Sequence, residues 1–96
     1  MKSVVEKAFE KLKNGENAQI KTNGFLTRLN IEQILMEEYV RDVKSCEDIL
    51  CSVYGYDISK NGGNYDVSER GRYPITIGPE GLKKLTLNKL KGSMNV

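Results

Sequence analysis

The chain of 96 residues predicts an α+β domain with two β-hairpins and two to four helices, on three observations. Apolar side chains recur at helical spacing over residues 4–12 and 31–43. Asn23-Gly24 stands between two β-prone runs, and a second pair of such runs, 65–68 and 72–77, follows the glycine-rich stretch Asn61-Gly62-Gly63-Asn64. Elements that each bury one face must share a core. A chain of this length can do so as a single domain over 1–96, without disulfide or metal staples.

Val4, Val5, Ala8, Phe9 and Leu12 form one stripe, with Glu6, Lys7, Glu10, Lys11 and Lys13 largely outside it. Ser3 followed by Glu6 fits a capping box and Asn14-Gly15 a left-handed stop, so a helix is expected over about residues 4–14. In AQIKTNGFLTRL the Asn23-Gly24 pair favours a two-residue turn. That register sets Ala18 opposite Leu29 and Ile20 opposite Thr27, with the apolar side chains on one face.

Ile31, Ile34, Leu35, Tyr39 and Val43 make a second helical stripe, expected over about 31–43, with Asn30 and Gln33 as cap and box. Ser45-Cys46-Glu47-Asp48 reads as another helix start; ILCSVYGY fits a short helix ending at Gly55 or, by its β-branched and aromatic content, a strand. Residues 61–64 are expected to be a mobile loop, followed by the 65–77 hairpin with Pro74 marking an edge or bulge. Gly78-Pro79-Glu80 resembles a helix entry with Leu82, Leu85 and Leu90 inward, although Lys84-Leu85-Thr86-Leu87-Asn88 alternates as a strand would. Gly92 to Val96 are expected to fray.

Several function classes drop away. With no histidine, and two cysteines five apart at Cys46 and Cys51, neither a zinc site nor the usual neutral-pH general base can be assembled. Gly62-Gly63 and the Ile77 to Gly81 stretch match neither a Walker nor a dinucleotide pattern, so no cofactor and no enzymatic activity are expected. No apolar run approaches the roughly 18 residues of a membrane span, and the start has no signal-peptide core, so a cytoplasmic protein without membrane partners is expected.

Charge is patterned along the chain. Residues 1–31 hold six basic and three acidic side chains, 32–58 two basic and seven acidic, and 59–96 seven basic and three acidic. An acidic centre thus lies between two basic ends, and a fold that keeps them apart carries patches of both signs. The acidic helix, with Glu32, Glu37, Glu38 and Asp42, would face a basic protein surface such as a nucleic-acid enzyme offers, and the leading expectation is a binding protein that modulates or inhibits such a partner. The small size, abundant Lys and Asn and lack of catalytic motifs resemble, in composition only, accessory proteins of phages and other mobile elements.

The alternative is a winged-helix-like DNA regulator. Helices followed by a basic hairpin follow that order, with Arg70 and Arg72 near the tip and Lys83 and Lys84 behind them to meet phosphate. Against it, the helix that would enter the groove carries Glu47 and Asp48 where Arg, Lys, Asn or Gln would be needed. Oligomeric state stays open, since Pro74 would block sheet extension at one edge and a bare edge would allow it.

Overall fold

Ser3 opens the described chain, residues 3–96 of a computed structural model, by capping α1 (Val4–Lys13): the Glu6 amide donates to its hydroxyl at 3.1 Å. Lys2, counted above with the basic amino-terminal block, lies outside the described residues. Val5 and Ala8 are buried and Phe9 and Leu12 partly so, while Val4 stays half exposed. Gly15 at φ +76° lets its own amide and that of Glu16 turn back to the carbonyls of Leu12 and Lys11, a Schellman stop that a β-carbon would strain.

The expected first hairpin does not form. Asn23 uses its side-chain oxygen as a local acceptor, taking the amides of Phe25 and Leu26 at 2.8 Å each, and such an Asx turn competes with strand pairing. Four residues after Asn23, Thr27 and Asn30 exchange side-chain and backbone bonds as a capping box, so the expected second strand is taken up by α2 (Arg28–Ile34). Half of the reading survives: Ala18 and Ile20 are buried on an extended segment, but the Ile20 amide donates to the Met94 carbonyl at the far end of the chain. Phe25 and Leu29, expected inward, are 96% and 78% exposed.

The α2 helix starts three residues earlier than its apolar stripe suggests and continues as a π-helical segment, Leu35–Tyr39. The Val40 amide reaches back five residues to the Leu35 carbonyl at 2.9 Å, which seats Val40 below Leu35 on the core side. Asp42 does not continue this helix; it caps the next one, α3 (Val43–Ser52), by accepting the Ser45 amide at 2.8 Å. ILCSVYGY takes the helical alternative, through Ser52, and the strand β1 (Asp57–Asn61) begins only after Tyr56.

The glycine-rich stretch expected to be mobile is a tight turn joining β1 to β2 (Asn64–Ser68), with Asn61 paired to Asn64. Gly62 holds φ +63°, the positive first position of a II′ turn. β2 pairs in turn with β3 (Ile75–Ile77), which is the hairpin expected at 65–77, giving an antiparallel meander of order β1-β2-β3. α4 (Pro79–Ser93) enters through Pro79 and runs as helix throughout, so the strand alternative at 82–91 falls. It buries Leu82, Thr86 and Leu90, with the Thr86 hydroxyl donating to the Leu82 carbonyl.

The last residues pack instead of fraying. Met94 is fully buried, Asn95 takes φ +56°, and the Val96 amide closes on the Lys91 carbonyl. Among the described residues the result is an α+β arrangement of four α-helices and a three-stranded sheet around one core that includes Ile31, Leu35, Leu50, Leu82 and Leu90. The segment before α2 adds no strand to the sheet, and a long helix follows the hairpin that a winged-helix order would use as its wing. Among the described residues no helix is long and apolar enough to cross a membrane.

Candidate functional site

The four acidic residues expected on one helix face are divided by the fold. Glu32 turns to α4, where Lys91 Nζ donates to its Oε2 at 3.0 Å with both side chains about one-third exposed, so it is a clamp between helices. Asp42 is held by the Ser45 amide, and that bond, with Arg41 and Lys83 nearby, keeps its carboxyl below the ordinary range. Glu37 and Glu38 project from the π segment, Glu37 accepting from Gln33 at 3.1 Å.

A different anionic face forms around Tyr39. The wide π turn rotates Tyr39 toward α1, where its ring meets Phe9 with centroids 4.4 Å apart and planes tilted by 38°. Glu6 and Glu10 lie one turn apart on α1, and together with Glu38 they reach the Tyr39 hydroxyl electrostatically. Burial first, then these three carboxylates, raise the tyrosine's pKa. Beside the stacked rings a shallow cleft of about 250 Å³ opens between α1 and α3, bordered by Glu38 and Asp48 and floored by Ile49. Lys13, 5.9 Å above the Phe9 ring, is the cation on this rim, and Asp48 is shared with Lys44 at 3.1 Å. Met36, half exposed on the same π segment, adds apolar surface to this part of the chain. Sequence reasoning missed Glu6, Glu10, Phe9 and Tyr39 as a group, because α1 counts as basic when its charges are summed along the chain.

The residues of the DNA alternative are also separated. Arg70 and Arg72 lie in the β2–β3 loop, and Arg72 Nε approaches Glu69 at 3.6 Å. From α4 it is Lys89 that meets the same carboxylate, at 3.6 Å, with its Nζ 5.4 Å over the Tyr56 ring. Lys83 and Lys84 are turned about 200° and 100° from Leu85, the α4 residue that faces the loop. Lys83 is felt instead by Asp42 and Cys46 on the α3 side. The outward side of α3 presents Lys44, already engaged by Asp48, with Glu47 and Cys51.

Neither thiol is activated. Cys46 is fully buried and Cys51 exposed, and burial is the largest cause raising each pKa, reinforced at Cys51 by Glu47, Asp48 and Asp57. Among the described residues no group of three or more Cys, Asp or Glu side chains is arranged to hold a metal ion. No protein-family model matches the chain, and no curated protein or solved structure gives a significant match, so the reading of this site rests on its geometry.

Proposed function

We propose that the chain is a non-enzymatic binding protein, acting in the cytoplasm, that modulates or inhibits a macromolecular partner through the anionic face around Tyr39. The observation that carries this reading is the gathering of Glu6, Glu10 and Glu38 about a tyrosine that is itself stacked on Phe9, at the rim of an apolar-floored cleft. Aromatic anchors beside charge are the usual makings of a protein interface, and like charges on one side accelerate encounter with the opposite sign. The complementary partner has a basic surface with apolar side chains on it. Enzymes that handle nucleic acid offer such a surface, and inhibition by covering it suits a small accessory protein of a phage or mobile element.

Two features support a protein partner over DNA. The outward side of α3 is anionic apart from Lys44, so inserting it into a groove would bring carboxylates to phosphate. Arg72 is already partly neutralised by Glu69, and Lys83 and Lys84 do not join it in a strip.

The test is affinity capture from the native host with wild type and with the Glu37→Lys/Glu38→Lys double variant, beside a gel shift on duplex DNA at low salt. The reading expects a captured partner that the double variant loses, and no shift on DNA. Equal capture by both proteins, or a tight DNA complex that the reversal strengthens, would overturn it.

A further inference from the structure

The two edges of the sheet are protected differently. β1 carries Asp57 and Lys60, charges of the kind that discourage another strand from adding, whereas β3 reads Ile75-Thr76-Ile77 with no charge and only Pro74 before it. On the side of the sheet facing α4, Val67 is 2% exposed, yet its cross-strand partner Ile75 is 56% exposed and Tyr73, two residues earlier, 95%. The helix therefore covers β2 and stops short of the lower end of β3. With Leu85 and Tyr56, these three residues line a crevice of about 170 Å³ over the face of the sheet, which reaches the edge strand at Ile75.

Charge at the end of this crevice is unbalanced. The Glu69 carboxylate receives the Tyr56 hydroxyl, and this bond is the main reason its pKa is held low. Arg72 and Lys89 both pair with it at 3.6 Å, longer than the 2.7–3.2 Å of a direct N–H···O bond, so one carboxylate is shared between two cations. An apolar slot, an open strand edge and surplus cations at one end together describe a receptor for a short extended peptide.

We propose that this crevice docks an extended segment of a partner protein, which pairs with β3, seats an aliphatic side chain between Tyr73, Ile75 and Leu85, and sets a carboxylate two residues away on Arg72. The spacing follows from the strand period, which returns every second side chain to the same face. A strand edge of three residues limits the contact to a short motif, so the interaction is weak by itself and serves to add to a larger interface. This site uses the opposite charge from the face around Tyr39 and stands or falls independently of it.

The test is an NMR titration of the full chain with acetyl-Ser-Val-Thr-Asp-Ser-amide and with its counterpart carrying lysine for aspartate. Saturable shifts are expected at the amides of Ile75, Thr76, Ile77, Leu85 and Lys89, with the lysine peptide at least about fivefold weaker. Arg72→Gln should narrow that difference to under about twofold while leaving the remaining spectrum in place. Absence of shifts at millimolar peptide, or equal binding of the two peptides, would overturn the proposal. So would β3 shifts that follow protein concentration without peptide, which would give the edge to a second copy of the chain.

Discussion

Replacing Met94 with alanine separates a packed carboxyl terminus from a frayed one. The side chain is fully buried, its amide donates to the Leu90 carbonyl, and its own carbonyl holds the Ile20 amide at 3.2 Å. The substitution removes three heavy atoms, each about 0.8 kcal/mol by transfer from water, or ~2.4 kcal/mol before any cavity is counted. With incomplete collapse the cost reaches about 3 kcal/mol, inside the range of roughly 2–5 kcal/mol for buried Met→Ala changes. Unfolding entropy of ~2.1 cal/mol/K per residue gives ~0.2 kcal/mol/K for this chain, so the expected fall in Tm is about 15 °C. Calorimetry on wild type, Met94→Ala and the exposed control Leu29→Ala measures it. A drop under about 3 °C for Met94→Ala, similar to the control, would mean that the tail contributes nothing and that Met94 is not packed in the core. A second arm uses Ile20→Ala: coupling above about 0.5 kcal/mol in the double mutant is expected for two residues joined in this way.

Val40→Ala should cost about 2 kcal/mol, read from the urea midpoint, because the π turn seats Val40 in the core; in an unbroken α-helix residue 40 would lie about 140° from Leu35 and the change would be near neutral. The carboxyls of Asp42 and Glu69 are both held below their ordinary range, so their stabilising share is complete above the unfolded-state pKa near 4 and is lost as pH falls through the lower folded value. Urea midpoints should thus decline below about pH 4, with a shallower decline in Asp42→Asn, which keeps a capping oxygen; identical slopes would count against the capping role. Iodoacetamide at pH 8 should modify Cys51 alone, more slowly than a free thiol, and reach Cys46 only after unfolding, as mass spectrometry would show.

The legible parts of the fold are those whose signals are local and unopposed. Ser3 with Glu6, Asn14-Gly15 and Gly78-Pro79 mark helix ends within a few residues, and the ends fall there, although of the Ser3–Glu6 box only the bond from the Glu6 amide to the Ser3 hydroxyl forms among the described residues. Asn23-Gly24 carries an equally local hairpin signal but meets a stronger competitor in the Thr27–Asn30 box, reinforced by Leu26 and Ile31 packed before and after the cap as a hydrophobic staple. β1 was invisible for another reason. It is an edge strand with one partly buried side chain, Ile58, and nothing in Asp57 to Asn61 has to alternate when four of the five face water.

The candidate site was less legible than the fold because its sign depends on helix phase, which summed charge discards. On α1 the glutamates at 6 and 10 occupy one strip and the lysines at 7 and 11 the next, so a block with net positive charge presents an anionic strip to whatever packs beside it. What packs there is set by the π turn. Ile34, Leu35, Met36, Tyr39 and Val40 offer two incompatible apolar phases, and a strict period of 3.6 residues selects Tyr39 as the residue beneath Leu35. The five-residue bond from Val40 to Leu35 selects Val40 and releases Tyr39 toward Phe9, where Glu38, Glu6 and Glu10 all act on its hydroxyl. Moving one backbone hydrogen bond by a single residue therefore decides whether Glu38 lies beneath the core face or at the rim of the cleft, and no count of charges along the chain contains that choice.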